Sequence, residues 1–323
     1  MKTFKLAQPQ TLEQVTTLPA GEIYFLMAGG TDLLDEIKNE IIAPDIVVDL
    51  KTIPNLDYIE NTKKGVRIGA LTTVSELAEN QIIRQNFPVL HQAALSLATP
   101  QLRNMGTVGG NLCQRPRCWY YRDPQVKCRK KGGNRCYAFK GRNRYHAILG
   151  GGICYIVHPS DLAPALISLD AEVTIAKAKG ETPIPLADFF ALPRDNVRKE
   201  NILEPGEAVK EIRLPPLKPG SRSTYFKFKE RGTWDFAVVS AAVTGVISRG
   251  IFEDIRIVMG GIAPIPWRLD KAEQIIKGNK ATEELARKGV REALAGATPL
   301  EENTYKKDLA EVVVSRTVMS LIQ

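Results

Sequence analysis

Between Asn111 and Cys154 the chain offers no apolar period from which a helix or strand could bury a face, so this stretch must take its order from something other than a hydrophobic core. The thiols indicate what that is. Cys118, Cys128, Cys136 and Cys154 fall here, Cys113 sits just upstream, and the 281 residues outside 113–154 contain no cysteine. A chain of 323 residues, 44% hydrophobic, is long enough for about two domains with proper cores and needs no disulfide staples. Clustered thiols in such a chain fit reduced ligands for a metal or an iron–sulfur centre better than a disulfide framework. The spacing Cys118-x9-Cys128-x7-Cys136-x17-Cys154 lacks the short pairs common at zinc and suits a loop wrapped around a larger four-iron body, although four thiolates serve either. Cys113-x4-Cys118 opens a two-iron pattern, but Tyr121 stands where the next cysteine belongs. His146 and His158 are further candidate ligands, although a histidine in such a place is more often a surface or satisfied core residue.

The same stretch holds the charge. From 114 to 145 there are eleven Lys/Arg against one acid, Asp123, so this segment carries +10 of a net +8 and the remaining residues together carry −2. The basic balance therefore describes one loop, and whole-chain arguments for nucleic acid or a membrane surface as partners lose their force. Trp119-Tyr120-Tyr121 beside these cations could stack on bases or shield a cluster from solvent. The longest apolar run, Phe236 to Ile247, is shorter than the ~20 residues that span a bilayer. Met1 to Pro9 is basic without a following apolar stretch. The expectation is a cytoplasmic protein with no export signal of its own, leaving export as a folded complex on a partner's signal open.

Outside the segment, strand and helix patterns alternate. Ile23 to Ala28 reads as a strand ending in Gly29-Gly30, and Thr31-Asp32 then caps a helix with Leu33, Leu34 and Ile37 on its apolar face. Ile46 to Leu50 and Val66 to Ala70 read as strands, Val74 to Glu79 and Val89 to Ala98 as helices. Apolar patterning resumes at Ile153 to Val157, followed by a helix over Ser160 to Leu169 capped by Ser160. Leu214 to Gly220, rich in Pro and Gly, is the best domain boundary. Beyond it, Ser223 to Glu230, Asp235 to Ile247 and Ile255 to Met259 look extended. Helices are expected near Leu269 to Ile276, Glu283 to Ala295 and Leu309 to Leu321. Strands followed by helices indicate a separate α+β domain.

Gly29-Gly30-Thr31-Asp32 places bare backbone N–H groups at a strand-to-helix turn, where a pyrophosphate can approach closely. It is neither a G-x-G-x-x-G fingerprint nor a P-loop. Gly106-Thr107-Val108-Gly109-Gly110-Asn111 supplies a second such turn, and two in one domain make a dinucleotide more credible than either alone.

Several ordered motifs together resemble one family. Ala28-Gly29-Gly30-Thr31-Asp32-Leu33, the run Ala98-Thr99-Pro100-Gln101-Leu102-Arg103-Asn104-Met105-Gly106-Thr107-Val108-Gly109-Gly110-Asn111-Leu112, and Pro159-Ser160-Asp161-Leu162-Ala163-Pro164-Ala165-Leu166 resemble the FAD-binding medium subunit of molybdenum hydroxylases. Asp235 to Ser240 and Gly260 to Arg268 resemble its C-terminal domain. The cysteines and the run Asn143 to Ile148 resemble the subgroup whose flavin subunit holds an extra 4Fe-4S cluster. Their placement is closer to that of the periplasmic-type aldehyde oxidoreductase than to that of the 4-hydroxybenzoyl-CoA reductase flavin subunit, one of whose cysteines falls near Arg144 or Tyr145.

The resemblance implies an α+β fold. A two-lobed FAD-binding domain over 1–217, of the PCMH/vanillyl-alcohol-oxidase-like kind, has its lobes meeting near 55–60 and a 4Fe-4S loop inserted at about 114–154. A C-terminal α+β domain like that of the CO dehydrogenase flavoprotein follows over 218–323. It implies FAD pyrophosphate held around Ala28, Gly29, Gly30, Thr31, Asp32 and Leu33, with Thr31 and Asp32 lending side chains. Gly106, Thr107, Gly110 and Asn111 form the second contact, Asp161 binds the adenosine end, and Lys227 lies near the flavin, with Lys229 an alternative on the same strand face. Cys118, Cys128, Cys136 and Cys154 hold the cluster, while Cys113 is a buried thiol beside the FAD loop. The implied partners are a molybdopterin-binding large subunit, a 2Fe-2S small subunit and an external electron donor or acceptor. The chain then relays electrons for a complex acting on an aldehyde, an aromatic acyl-CoA or an N-heterocycle, with no catalytic acid or base of its own. Rival readings are a stand-alone flavoenzyme for a small molecule and a zinc or iron–sulfur nucleic-acid-binding protein; the latter leaves both glycine turns unexplained.

Overall fold

The computed structural model describes residues 1–18 and 21–322. Near the N-terminus, β1 (Lys5–Ala7), β2 (Tyr24–Met27) and β3 (Ile46–Asp49) form a parallel sheet in the order β1-β3-β2. Parallel strands need crossovers, supplied here by the helices Leu12–Thr16 and Leu33–Lys38. Thr11 caps the first of these by accepting from the Gln14 N–H, and Val15, Val48 and Leu56 make a small core beneath the sheet.

The second sheet is antiparallel, in the order β4 (Ile59–Thr62), β5 (Gly65–Gly69), β8 (Ala208–Leu214), β6 (Glu172–Lys177) and β7 (Gly180–Pro185). Short helices pack on it and close the main core around Leu77, Leu90, Leu112, Leu166 and Ile212. Thr73 and Glu76 form a capping box at Val74–Glu79, and Thr99 caps Pro100–Met105, whose first residue is a proline. The helix expected over Ser160 to Leu169 forms as Leu162–Ser168 with Asp161 at its N-cap position; Ser160, expected as the cap, lies one residue earlier, and its Oγ accepts from the Ala163 N–H of the first turn at 2.9 Å. Ile153 to Val157, where apolar patterning resumes, pairs with no sheet, because the backbone is drawn into loop contacts such as the Ala147 N–H to Tyr155 carbonyl bond at 2.9 Å. One expectation fails here. Asp32 begins its helix without capping it, since its carboxylate is engaged elsewhere.

The C-terminal sheet runs β12 (Trp267–Arg268), β11 (Ile251–Gly260), β10 (Val239–Ser248), β9 (Ser221–Phe228), all antiparallel. Val239, Ala241 and Val243 of β10 face the helices Asp270–Ile276, Glu283–Ala293 and Tyr305–Ser320, whereas Ala242 and the β11 residue Val258 join the main core. Burial on both faces explains why β10 reads as a continuous apolar run without alternation. Extended structure was expected from Asp235, but β10 begins only at Val239; residues 229–237 form a loop in which the Asp235 carboxylate accepts from the N–H groups of Glu230 and Arg231 at 3.0 Å.

The last helix fixes the end of the cysteine segment. Lys306 is wholly buried, and its ammonium donates to the carbonyls of Tyr145 at 2.9 Å, His146 at 3.1 Å and Gly261 at 2.7 Å. Asn303 donates to the carbonyls of Asn143 and His146 beside it. Burial pushes the Lys306 ammonium down to about 7. The unfolded chain, with a lysine near ~10.4, then binds the extra proton between those values. The stability this group contributes is therefore full above ~10.4 and falls as pH drops towards 7. Lys306→Met strands three buried acceptors at a cost of about 1–3 kcal/mol each if none finds water. Its melting temperature should lie below that of the wild type, with the gap widening from pH 7 to 9 in scanning calorimetry.

Candidate functional site

A cleft of about 410 Å³ opens beside the C-terminal end of β2, and its wall gathers both glycine turns and part of the 229–237 loop. Gly30 takes a left-handed φ of +72°, which a glycine adopts without steric cost and which turns the chain from β2 into its helix. At Gly29 the constraint is contact: a Cβ there would lie 1.8 Å from the Met105 carbonyl oxygen, so the two turns meet backbone to backbone. Thr107 accepts from the Gly110 N–H at 3.1 Å and caps the helix Val108–Cys113. Asn111 accepts from Ser160 Oγ at 2.5 Å, joining the second turn to the Pro159 to Leu166 run. Ala28, Gly29, Gly30, Thr31, Asp32, Leu33, Gly106, Thr107, Gly110, Asn111 and Asp161 all line this one cleft. Exposed backbone, small side chains and a wall both polar and apolar suit a dinucleotide.

Three expected side-chain roles look different in place. Asp32 is not free for a ligand: Oδ2 accepts from the Arg115 N–H at 2.7 Å, and Oδ1 from the guanidinium of Arg122 at 2.6 Å and from that of Arg117. Burial alone would raise its pKa, but Arg117 and Arg122 outweigh it and hold the carboxyl below its usual range. Asp161 and Lys227 are buried against each other at 2.7 Å, and Tyr225 donates to the other Asp161 oxygen at 2.7 Å. Lys227 thus stands behind Asp161, off the cleft wall, and orients it. Cys113 lines the cleft, its thiol pushed up to about 12 by burial.

The cysteine segment lies against the same lobe. It has little regular structure: the helical turn Trp119–Arg122 and the 3-10 turns Arg129–Lys131 and Tyr137–Phe139. Four of its cations are spent on acids of the flavin lobe, and a fifth, Arg144, meets Glu230 at 2.7 Å. Arg115 meets Glu200 at 2.9 Å, buried Lys130 pairs with the same Glu200, and Arg117 and Arg122 grip Asp32. Arg122 also meets Asp35 at 3.0 Å and lies 3.6 Å from Glu36, whose pKa burial raises. These four basic residues therefore dock the segment onto the flavin lobe. Of the aromatics, Tyr121 packs inward as well, whereas Trp119 stays 38% exposed. Tyr121 is buried between the guanidinium groups of Arg115 and Arg122, Tyr120 stacks on Tyr137, and Trp119 packs edge-on to His146.

The Cys154 thiol hydrogen-bonds Cys136 and, with the backbone N–H groups of Tyr155, Ala138 and Phe139, draws the Cys136 thiol down while its own is driven up. Cys118, pushed up to about 12 chiefly by burial, senses both Cys136 and Cys128. The four thiols thus share one neighbourhood, although among the described residues no three His, Cys, Asp or Glu side chains close on a single-ion site. His146 joins them: its Nε2 lies 3.2 Å from Cys118 Sγ, and burial lowers its pKa to about 4. His158 is a core residue, edge-on to Phe190 at 4.8 Å, and accepts from the Ser160 N–H at 3.3 Å. Arg115, Arg117, Glu36, Glu200, Trp234 and Phe236 also line the cleft without having been expected to. Arg115 and Arg117 were visible only as loop charge, and nothing local marks Glu200.

Residues 2–217 match the family described as the FAD binding domain in molybdopterin dehydrogenase, and 224–321 the CO dehydrogenase flavoprotein C-terminal domain. The chain belongs to the FAD-binding medium subunits of the molybdenum hydroxylase family. The aldehyde oxidoreductase FAD-binding subunit PaoB of Escherichia coli K12 is 38% identical to this flavin subunit over 302 residues, covering 92% of this chain and 89% of the relative. The carbon monoxide dehydrogenase medium chain of Hydrogenophaga pseudoflava is 27% identical over 298 residues, covering 91% and 87%. A solved carbon monoxide dehydrogenase of the same organism superposes with a TM-score of 0.78 at 25% identity, covering 99% of this chain and 97% of that one. The flavin subunit is accordingly an oxidoreductase subunit, and its mixed α/β fold, an FAD-binding domain plus a C-terminal flavoprotein domain, is that of the carbon monoxide dehydrogenase medium chain. No described helix is long and apolar enough to cross a membrane.

Gly29→Ala must push the two turns apart. It should lower stability by about 1–3 kcal/mol and reduce FAD per chain, read by calorimetry and by flavin absorbance after denaturation. Gly232→Ala, where a Cβ meets nothing within 4 Å, should change neither.

Proposed function

We propose that this flavin subunit carries FAD in the cleft and a 4Fe-4S cluster on Cys118, Cys128, Cys136 and Cys154, and relays electrons within a heteromeric molybdenum hydroxylase. FAD exchanges one or two electrons and a thiolate-ligated cluster exchanges one at a time, so together they match donors and acceptors of different stoichiometry. The expected partners are a molybdopterin-binding large subunit and a 2Fe-2S small subunit, with an external donor or acceptor meeting the flavin. The likeness to PaoB favours an aldehyde as the substrate of the complex, ahead of an aromatic acyl-CoA or an N-heterocycle. A cytoplasmic location remains part of the reading.

The observation that carries the cluster is the gathering of four cysteines, separated by up to 17 residues, in a segment with no hydrophobic core of its own. The backbone around Gly29 to Leu33 and Gly106 to Asn111 binds and orients the dinucleotide. Lys227 fixes the Asp161 carboxylate towards its end of the cleft.

Anaerobically purified protein should show flavin bands over a broad iron–sulfur shoulder, with about four irons and one FAD per chain. Cys128→Ser should remove the iron and leave the FAD. Zinc in place of iron, without flavin, would falsify this reading.

A further inference from the structure

Two acids on the cleft wall hold the cysteine segment. Asp32 accepts from three donors of residues 115–122, and one of them, the Arg117 guanidinium, belongs to the residue just before Cys118. Glu200 binds Arg115 at 2.9 Å and buried Lys130, two residues after Cys128. Asp32, Glu200, Arg115 and Arg117 all line the cleft. The segment thus contributes two guanidinium groups to a site whose backbone comes from the two glycine turns.

Arg117 is placed for a second task. Its Nη1 donates to Asp32 and to the Arg115 carbonyl, and its Nη2 to Gln114 Oε1 at 3.2 Å. A guanidinium has five N–H donors, and the Nε–H of Arg117 has no hydrogen-bond acceptor among the described residues. The guanidinium lies 5.0 Å over the Phe236 ring, which fixes its plane. Such a fork, held by a carboxylate on one edge, can bind a phosphate oxygen on another.

We propose that Arg117 is a phosphate ligand supplied to the cofactor cleft by the cysteine segment, and that Asp32, by positioning it, links filling of the cleft to ordering of residues 114–145. The inference rests on FAD occupying the cleft as proposed above. Linkage is reciprocal: if a bound dinucleotide orders the segment, an ordered segment binds the dinucleotide more tightly, typically by 5- to 150-fold.

The segment's own Lys and Arg residues make trypsin a direct probe of its order. In the purified complex stripped of FAD, cleavage within 114–145 should be at least about five times faster than after FAD is restored, following the range for linked sites. Arg117→Gln should raise the FAD dissociation constant, read from flavin fluorescence quenching, by about tenfold, the loss expected for one charge-assisted contact. It should also abolish most of the FAD-dependent protection. Arg117→Lys, which keeps the charge and loses the fork, should fall between. Equal trypsin cleavage with and without FAD in the wild-type complex overturns the linkage without any variant. An Arg117→Gln affinity within twofold of wild type overturns the ligand assignment. A wild-type complex that takes up no FAD at all defeats the cofactor reading itself, a different and distinguishable failure.

Discussion

The neutralisation of four cations by acids of the flavin lobe is the interaction on which the rest of this architecture depends. Residues 114–145 carry +10 and bury no core, so their own composition favours a solvated, extended loop. Arg115, Arg117, Arg122 and Lys130 reverse that preference by meeting Asp32, Asp35, Glu36 and Glu200 on a surface already shaped by the sheets. Buried pairs of this kind contribute little net stability compared with apolar packing, and removing one partner is costly because it leaves a buried charge. They act by selecting one docked arrangement, which is what a set of cysteines far apart in sequence requires.

The two ends of the segment are secured differently. Its beginning is tied by charge to the flavin lobe. Its end is tied by hydrogen bonds to the C-terminal helix, where Lys306 and Asn303 collect the carbonyls of residues 143–147. The Glu230 carboxylate adds a surface tie by accepting from Arg144 and Tyr145. The cysteines therefore sit between a charge tie to the flavin lobe on one side and a hydrogen-bonded tie to the C-terminal domain on the other.

Much of this was legible in the sequence, for reasons that can be given residue by residue. Gly29-Gly30 and Gly106 to Asn111 could be recognised because turns that meet backbone to backbone admit few residue types, and the cleft indeed gathers them. Helices such as Glu283–Ala293 followed from apolar period and capping. The ion-pair network was not legible. Asp32 looked like a helix cap because a local pattern suggests a local role, and its partners lie more than 80 residues away. Glu200 sits in an irregular stretch with no motif, so only tertiary structure reveals its link to Lys130. The strands β6 and β7 were missed for a related reason: Pro183 and Pro185 on the edge strand β7 mask a hairpin that the neighbouring β8 stabilises.

The bonds from Lys306 to the carbonyls of Tyr145, His146 and Gly261 also order events during synthesis. A ribosome delivers residues 113–154 long before residues 303–306, so the thiols emerge into a chain whose anchoring helix does not yet exist. Throughout that interval Cys118, Cys128, Cys136 and Cys154 are held at one end only. The thiol neighbourhood therefore reaches its enclosed form only when this helix docks.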